Sequence, residues 1–416
     1  MEHEKKTNER IYVRQRELLR ELLEQLVPQV ITAKKPADRL LAEHFRQHRE
    51  FGSRDRRFLS ESFFSFFRWR GWTSKFEILM AAAVSRLLDG AEIHPALAPA
   101  VKSEWTPLAG KTLEQKRDTL KQWFPESEIK LSDLVPDGFE KSVNIPASEK
   151  IRFYESLQQR PPTWLRLRSE KFKDTLNAAG ISFTEHPLMR RAVAVDGGAP
   201  LASLGATGQY EIQDITSQAV VEIAAPESGS EWWDACSGSG GKALQLADAA
   251  GAGAKILATD IRENALAECK KRARTDGIST IRTQLHNLAG DPPFTKQFAG
   301  VLVDAPCSGW GTWNRNPDAR WRSDLRDPAQ KRNLQIRMLN NAAQSVEQGG
   351  ILIYAVCTFT REETNGVVEK FLAEHSNFKL QPFTNPLTGA PADGTLQLWP
   401  HETSGDGMFI ARFKKN

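Results

Sequence analysis

Two cysteines, Cys307 and Cys357, lie in sequence contexts that suit sulfur chemistry. Each follows an apolar run that predicts a β-strand, AGVLVDAP before Cys307 and GGILIYAV before Cys357. The carboxyl ends of parallel strands form the ligand-binding edge of an open α/β sheet, so we expect both thiols to share one site. A thiolate is a strong nucleophile toward an electron-poor conjugated carbon, and C6 of a cytosine or uracil ring is such a carbon.

Addition of sulfur to a pyrimidine opens a route to methylation. Once a thiolate has added to C6, C5 becomes nucleophilic enough to attack the methyl group of a sulfonium donor. A carboxylic acid near ring N3 lowers the cost of that addition by donating a proton, and Asp304 stands shortly before Cys307. After methyl transfer the C5 proton must leave and the sulfur must be expelled, which requires a second acid or base group.

A glycine-rich turn follows an earlier predicted strand, EWWDA, and leads from Asp234 to Lys242. Such a turn lets a ligand approach the backbone closely, and it aims the amides of the following helix at that ligand. The turn meets the loose dinucleotide pattern, but it lacks the first glycine and the Ser/Thr of a phosphate-binding P-loop. The next predicted strand ends at Asp260, which can accept hydrogen bonds from the ribose diol of NAD or of S-adenosylmethionine.

The elements that must position these residues alternate along the chain. From Glu231 onward, strand-like runs alternate with helical ones, which predicts an α/β fold with a parallel sheet covered by helices on both faces. Residues 160–215 predict a small α+β module, and the apolar periodicity of residues 10–72 predicts a helical bundle. We therefore expect three domains: helical 1–144, α+β 145–210 and α/β 211–416.

Composition limits the class of protein. The 416 residues are 40% hydrophobic and 26% charged, with a net charge of +4, as in ordinary globular proteins. The first ten residues, MEHEKKTNER, do not resemble a secretory signal, and no apolar run is long enough for a membrane helix. Four cysteines without a Cys-x-x-Cys pair argue against a disulfide framework or a metal site. These features predict a cytoplasmic protein with no metal and no membrane partner.

Two basic segments, residues 34–72 and 315–337, lie in the predicted helical bundle and after the Cys307 motif. Basic stripes near a candidate site favour a polyanionic substrate, although solvated helix faces explain them equally well. Aromatic residues from Phe58 to Trp72 recur on one helix face, so we expect them to form a core rather than to stack on bases.

From about residue 145 to the C-terminus, motifs in a matching order resemble the Sun (Fmu, RsmB-like) family of RNA cytosine-C5 methyltransferases. The turn from Asp234 to Lys242 resembles the family's DxCxAPGGK element, and Asp304–Gly309 matches its DAPCSG motif in full. The stretch Tyr354–Cys357 is similar to its YATCS element. Three further segments resemble family elements: EIQDITSQ, Arg315–Asp318 with Trp321 and Arg322, and the C-terminal LWPHETSGDGMFIARF. Less specifically, the N-terminal RDRRFL stretch resembles the NusB-like domain of some members.

The resemblance implies a Rossmann-like class I methyltransferase domain with a mostly parallel seven-stranded sheet, preceded by an RRM-like module and a NusB-like RNA-binding domain. It implies methyl transfer from S-adenosylmethionine to C5 of a cytosine in structured RNA through a covalent Cys357–C6 intermediate. Cys357 would be the nucleophile, Cys307 would help to release the product, and Asp304 would contact the base. The other implied residues are Lys242 at the catalytic centre and, for the cofactor, Cys236, Ser237, Gly238, Ser239, Gly240, Gly241, Lys242, Asp260, Asn287 and Asp304.

Three positions depart from the family pattern. Ser239 replaces the usual proline of the glycine-rich turn, and Asn287 stands where an aspartate commonly faces the adenine. Val356 replaces the usual threonine before the second cysteine. Because Ser239 and Asn287 still offer polar groups, we expect an altered cofactor affinity rather than lost activity.

Several alternatives remain open from the sequence. Ribosomal RNA is the favoured partner by analogy, and transfer RNA is the alternative. An NAD-dependent oxidoreductase would use the same turn, and an RNA-binding assembly factor would keep the fold without catalysis. Trp310, Trp313 and Trp321 could stack on a flipped base or pack in a core. We expect Cys269 to have a packing role and the protein to be a monomer.

Overall fold

The computed structural model describes residues 2–205 and 208–416, with side chains from residue 8 onward. The prediction that residues 1–10 hold no secretory signal falls partly outside these described residues. The α-helices are, in chain order, α1 (Glu2–Ile31), α2 (Ala37–Gln47), α3 (Ser53–Thr73), α4 (Ile78–Leu88), α5 (Leu113–Trp123), α6 (Phe139–Ser142), α7 (Lys150–Leu157), α8 (Phe172–Ala178), α9 (Ile215–Ala224), α10 (Gly241–Ala250), α11 (Glu263–Thr275), α12 (Pro317–Arg322), α13 (Asp327–Gln344), α14 (Asn365–Glu374) and α15 (Pro400–Thr403).

The β-strands supply a large sheet and two smaller ones. In chain order they are β1 (Thr163–Leu167), β2 (Phe183–Glu185), β3 (Ala192–Val195), β4 (Tyr210–Ile212), β5 (Glu231–Asp234), β6 (Lys255–Asp260), β7 (Ile281–Leu285), β8 (Phe298–Asp304), β9 (Val346–Val356), β10 (Phe378–Leu380), β11 (Phe383–Thr384), β12 (Pro391–Ala392), β13 (Thr395–Leu398) and β14 (Met408–Lys415).

The chain divides into two compact units. The helical unit contains the described residues up to Lys141 with Ile145–Arg160 and Trp313–Leu325, and the α/β unit contains Ser142–Asn144, Pro161–Thr312 and Arg326–Asn416. The helical unit therefore includes a segment that follows the Cys307 motif in the sequence. The three-domain division at residues 144 and 210 stays a prediction.

The helical unit has an aromatic and leucine-rich core. Leucines of α1 at helical spacing, Leu19, Leu22, Leu23 and Leu26, are buried with the aromatic side chains of α3. In α3 the buried aromatic residues are Phe58, Phe63, Phe66, Phe67, Trp69 and Trp72. The aromatic cluster is therefore a packed core, as the helical periodicity predicts.

A buried arginine organises the segment of the helical unit that contains α12. Arg320 is fully buried and donates hydrogen bonds to the carbonyl oxygens of Leu134 (2.7 Å) and Leu157 (2.8 Å). Burial lowers the pKa of Arg320 to about 9, because water no longer stabilises its charge. Since this guanidinium lies inside the unit, Arg320 does not belong to an exposed basic stripe, which corrects the interpretation of residues 315–337.

The large sheet has the order β10-β14-β9-β8-β5-β6-β7, and β13 pairs with β14. The five strands from β9 to β7 are parallel, and β10, β13 and β14 are antiparallel to their neighbours. The strand order reverses between β5 and β8. In such sheets ligands bind beyond the carboxyl ends of the strands at this reversal.

The two faces of the sheet bury alternate residues, as a strand period of two requires. Trp232 of β5 lies in the core that contains residues of α9 and α10. Its neighbour Trp233 lies in the opposite core, which contains residues of α13 and α14. Helices on both faces leave the carboxyl edge of the sheet as the place where polar side chains converge.

A small sheet forms the α+β part of the same unit. Its strand order is β2-β3-β1-β4, with antiparallel pairing throughout. Buried residues of β1, β3 and α8 form its core, among them Leu165, Phe172, Leu176 and Val193. Two arginines of this module, Arg166 in β1 and Arg168 after it, form ion pairs with Asp248 of α10.

The predicted fold class is confirmed: a mostly parallel α/β sheet stands with a small α+β module and an N-terminal helical region. The seven-stranded path is present, and β13 adds an eighth strand at the side of β14. Among the described residues, no helix is both long and apolar enough to cross a bilayer.

Gly300 of β8 tests how tightly the central strands pack. A Cβ atom at this position would overlap the indole ring of Trp232 on β5. We expect Gly300→Ala to lower the free energy of unfolding by about 2 kcal/mol, because the rigid ring must shift. Trp232→Phe should relieve part of this cost in the double variant. Denaturant unfolding of the four proteins measures the coupling, and additive losses would contradict it.

Candidate functional site

The predicted catalytic residues meet at the carboxyl edge of the large sheet. Asp234 ends β5 and Asp304 ends β8, the two parallel neighbours at the strand-order reversal. In the pairing of β8 with β9, Asp304 lies opposite Ala355. The chain continues from these paired positions to Cys307 and Cys357, so the parallel register brings the thiols together.

The two thiols are in direct contact. Sγ of Cys307 lies 3.3 Å from Sγ of Cys357, and both residues are partly buried. Both are free cysteines, and the sulfur atoms are close enough for one S–H to be shared between them. The structure therefore joins the two cysteines in one site, as expected from the sequence.

A cation stands on the Cys357 side of this pair. Nζ of Lys242, in the first turn of α10, donates a hydrogen bond of 2.7 Å to Oδ2 of Asp304. Burial alone would lower the pKa of Lys242, but the bonded Asp304 raises it overall. Cys357 raises this pKa further, which means that a negative charge on its sulfur and the ammonium stabilise each other.

A carboxylate stands on the Cys307 side. The pKa of the Cys307 thiol is raised well above its usual range, first by the hydrogen bond to Cys357 and then by burial. The charge of Glu363 raises it further, because two negative charges would repel. The two sulfurs therefore differ in electrostatic environment, because the charge of Glu363 opposes a negative charge on Cys307.

Glu363 is a functional candidate that the sequence did not reveal. Its fully buried carboxylate accepts hydrogen bonds from the backbone N–H (2.8 Å) and the hydroxyl (2.6 Å) of Ser308. It also accepts hydrogen bonds from Gln335 (3.1 Å) and the hydroxyl of Thr360 (2.9 Å). Among the described residues the hydrogen-bond donors to this carboxylate are neutral, and they connect the Cys307 loop to the segment after Cys357. The acidic run that follows Cys357 in the sequence is the only signal that could have suggested it.

The glycine-rich turn adopts a conformation that two glycines permit. Gly238 and Gly240 have φ angles of +55° and +92°, in the left-handed region that side chains disfavour. The N–H of Gly240 donates to the carbonyl oxygen of Ser237 at 2.8 Å and closes the turn. A Cβ atom on Gly240 would lie 2.5 Å from Sγ of Cys269, so the packing role expected for Cys269 includes supporting this turn.

Asp260 lies at the end of β6, next to the turn. Its Oδ2 accepts a hydrogen bond from the N–H of Gly238 at 2.9 Å. Burial alone would raise the pKa of Asp260, but three hydrogen bonds from Arg262, one from its backbone and two from its guanidinium, lower it overall. The exposed guanidinium of Arg262 thus covers the carboxylate. A ribose diol at this position would either share Asp260 with Arg262 or displace the guanidinium of Arg262.

Three buried polar atoms beside the turn lack a partner. Both carboxylate oxygens of Asp234 and the hydroxyl oxygen of Ser237 have no hydrogen-bond partner of acceptable geometry among the described residues. Burial raises the pKa of Asp234 to about 7, and the neighbouring Asp304 adds to this effect. Buried polar groups are almost always hydrogen-bonded, so this cluster fits a ligand that brings donors, such as an ammonium group or sugar hydroxyls.

Two exposed apolar side chains flank Asp260 and were not predicted from the sequence. Ile261 follows it directly, and Leu285 lies opposite it on β7; they are 66% and 58% exposed. An aromatic base could pack on them. Asn287, just beyond β7, turns its side-chain oxygen to the N–H of Ala289 at 3.2 Å. Its role toward an adenine stays a prediction.

The tryptophans after Cys307 have different surroundings. Trp310 and Trp313 are fully buried, so base stacking by these two rings is excluded in this conformation. Trp321 donates a hydrogen bond from its indole N–H to the carbonyl oxygen of Phe67 at 2.6 Å within the helical unit. No group of three or more potential metal ligands occurs within residues 2–205 and 208–416.

Comparisons with known proteins identify relatives of this chain. Residues 221–414 match the model of a family described as 16S rRNA methyltransferase RsmB/F. Ribosomal RNA small subunit methyltransferase B of Klebsiella pneumoniae subsp. pneumoniae is 33% identical over 274 residues, or 63% of this chain and 61% of that protein. The protein with this description from Yersinia pestis bv. Antiqua is 31% identical over 270 residues. The matched region thus spans about three fifths of these relatives.

Solved structures share the fold. The crystal structure of PH0851 has a TM-score of 0.73 and 23% identity, and the match covers 92% of this chain and 95% of PH0851. NSun6 from Pyrococcus horikoshii, solved with SFG, has a TM-score of 0.57 and 16% identity, covering 64% of this chain and 94% of NSun6. At these identities the similarity concerns the fold.

The raised pKa of Asp234 predicts a pH-dependent cost to stability. A carboxyl with a folded-state pKa of about 7 and an ordinary value of 3.8 destabilises the fold once it must ionise. The cost is absent below about pH 4, grows between pH 4 and 7, and is complete above about pH 7. Asp234→Asn removes it, so we expect the variant to gain on the order of a few kcal/mol over wild type across this range.

Unfolding midpoints of both proteins at a series of pH values measure this difference. A stability difference that does not change between pH 4 and pH 8 would show that Asp234 is not held with a raised pKa.

Proposed function

We propose that this chain transfers a methyl group from S-adenosylmethionine to C5 of a cytosine in structured RNA. The match of residues 221–414 to the model of the RsmB/F methyltransferase family supports this proposal. Ribosomal RNA is the proposed substrate, since the family description and the curated relatives name it. The observation that carries the proposal is the contact between Cys307 and Cys357, with a cation near one sulfur and a carboxylate near the other.

The unequal surroundings of the thiols support different roles for them. The ammonium of Lys242 interacts with Cys357, and the charge of Glu363 opposes a negative charge on Cys307. Cys357 is therefore the nucleophile, and Cys307 donates its S–H to the thiolate until attack. The sulfur of Cys357 bonds to C6 of the cytosine, and the electron pair of the C5–C6 double bond moves into the ring. This is the covalent Cys357–C6 intermediate.

Asp304 and Lys242 handle the charge that develops on the base. Asp304 ends its strand beside the thiols, with its Oδ2 bonded to Lys242 and about a third of its side chain exposed. Its other oxygen is available to contact N3 or the exocyclic amine of a cytosine. As sulfur adds, N3 takes a proton from solvent, the carboxylate of Asp304 stabilises the protonated ring, and Lys242 fixes the orientation of that carboxylate.

The residues around the glycine-rich turn fit S-adenosylmethionine. This cofactor supplies an electrophilic methyl group on a sulfonium. The turn from Cys236 to Lys242 would hold it by backbone contact, and Asp260 would bind its ribose. The partnerless oxygens of Asp234 and the apolar pair of Ile261 and Leu285 suit its ammonium group and its adenine. The NSun6 structure was solved with SFG, an analogue of S-adenosylmethionine, which supports this assignment.

Product release falls to Cys307. After methyl transfer solvent water takes the C5 proton, the electron pair of the C5–H bond re-forms the C5–C6 double bond, and the sulfur of Cys357 leaves C6 as a thiolate. Cys307 lies 3.3 Å from the departing sulfur in the structure and can return a proton to it. Four further proposals rest on the resemblance alone. They are an RNA-binding helical unit of NusB-like character, an RRM-like module, a cytoplasmic location and a monomeric state. Transfer RNA is the alternative substrate.

Replacement of each cysteine tests the two roles. Cys357→Ala should abolish methyl transfer without forming an adduct, because no sulfur remains to add to C6. Cys307→Ala should still form the covalent bond but release product slowly, so a protein–RNA adduct should persist in denaturant. Methyl transfer from labelled cofactor and a denaturing gel measure both effects. Cys357→Ser and Cys307→Ser, which keep side-chain size, serve as matched controls.

The reverse pattern, an adduct in Cys357→Ala and none in Cys307→Ala, would assign the nucleophile to Cys307. Loss of activity in both variants with no adduct in either would contradict the covalent route.

The salt dependence of RNA affinity tests the substrate class. Lysine and arginine contacts to phosphates release counterions, so affinity should fall at least about tenfold between about 50 and 200 mM salt. A filter-binding titration with a ribosomal RNA fragment measures it, and a transfer RNA serves as the comparison. An affinity that does not respond to salt would point to a small-molecule substrate.

A further inference from the structure

The glycine-rich turn has an external support at Ser239. Nη1 of Arg272 donates a hydrogen bond of 2.8 Å to the carbonyl oxygen of Ser239 and lies 3.3 Å from its hydroxyl oxygen. Ser239 is the position at which the turn lacks the proline of the family pattern. Its own N–H makes no hydrogen bond among the described residues. In the described part of the chain, the hydrogen bonds of this exposed residue are therefore those from Arg272.

Arg272 is itself held from its other end. Nη2 forms a close ion pair with Glu211 of β4, whose side chain is 12% exposed, whereas that of Arg272 is 24% exposed. Charge-assisted hydrogen bonds of this kind are stronger than neutral ones, and partial burial protects them from salt. The guanidinium thus bridges the small sheet and the turn, with one nitrogen for each.

Two residues on one face of α11 support the glycine-rich turn. Cys269, one helical turn before Arg272, lies under Gly240, where a Cβ would come within 2.5 Å of the sulfur. Cys269 limits the turn from below by packing, and Arg272 fixes it by hydrogen bonding. Residues spaced by three along a helix share a face, which explains why both reach the turn.

We propose that Arg272 is a positioning residue for cofactor binding, which holds the Ser239 turn in its binding conformation where no proline ring restricts it. This inference rests on the proposed function. Proline fixes φ and reduces the freedom of the unbound loop, whereas serine leaves that freedom. A loop held before binding loses less entropy when the ligand arrives, so a tether on Ser239 improves cofactor affinity without touching the cofactor.

Arg272→Ala tests the proposal against Lys271→Ala as a matched control. Lys271 is the adjacent residue on α11, its side chain is 74% exposed, and it forms an ion pair with Glu268. Calorimetry should show that Arg272→Ala weakens S-adenosylmethionine binding on the order of tenfold, as loss of a charge-assisted hydrogen bond implies. Lys271→Ala should bind like wild type. RNA affinity should fall no more in Arg272→Ala than in Lys271→Ala, since each removes one positive charge.

Hydrogen exchange without cofactor gives an independent readout. The amides of residues 236–241 should exchange faster in Arg272→Ala than in wild type or Lys271→Ala, because the turn opens more often. Glu211→Gln should show a smaller change of the same sign, since it weakens the anchor and leaves the contact to Ser239. If Arg272→Ala does not fold, Arg272→Lys replaces it, because one ammonium cannot bridge both partners in the manner of a guanidinium.

The outcomes separate this inference from the proposed function. If the wild-type protein binds S-adenosylmethionine and Arg272→Ala binds it with the same affinity, the role of Arg272 is overturned and the proposed function stays intact. Equal losses in Arg272→Ala and Lys271→Ala would also overturn it. A wild-type protein that binds NADH and not S-adenosylmethionine would contradict the proposed function. In that case hydrogen exchange still tests the role of Arg272. Unchanged exchange of residues 236–241 in Arg272→Ala would be sufficient to overturn the tether.

Discussion

Two thiols in contact cannot both be nucleophiles at neutral pH, and their surroundings must decide which one holds the proton. In this structure the decision is electrostatic: a lysine on α10 stands near Cys357, and the buried carboxylate of Glu363 stands near Cys307. The hydrogen bond to Cys357 and burial raise the pKa of the Cys307 thiol, and the charge of Glu363 raises it further, because ionisation there would bring two negative charges together. The proposed roles of the pair, a nucleophile with an adjacent proton donor, and the proposed order of bond formation and release depend on this asymmetry.

The sheet provides the distances on which the asymmetry depends. Parallel pairing of β8 with β9 carries the two cysteines to one edge, and the strand-order reversal opens the neighbouring space for a ligand. Packing on both faces keeps this edge rigid, whereas the polar groups at the edge are incompletely satisfied. Asp234 is the clearest example, since its buried oxygens lack partners among the described residues. Sites that bind charged ligands commonly carry such a cost in stability.

How far the sequence could predict this site depends on the range of each interaction. The cysteines, Asp304 and the glycine-rich turn follow apolar strands, so a local pattern combined with the rule for parallel sheets was sufficient to bring them together. Glu363 could not be found in this way, because its importance comes from donors on three separate segments. The tether from Arg272 joins a helix to a turn 33 residues away in sequence. The burial of Arg320 was equally hidden, since an arginine in a basic run predicts exposure.

The most direct measurement is the site of alkylation in the wild-type protein as a function of pH. A limiting amount of iodoacetamide reacts with the thiolate that forms first, and peptide mass spectrometry identifies the modified cysteine. If Lys242 and Glu363 set the charge of the pair, Cys357 is labelled first at neutral pH, and Cys307 reacts only at higher pH or after Cys357 is blocked. Preferential labelling of Cys307 at neutral pH would contradict the assignment of the nucleophile.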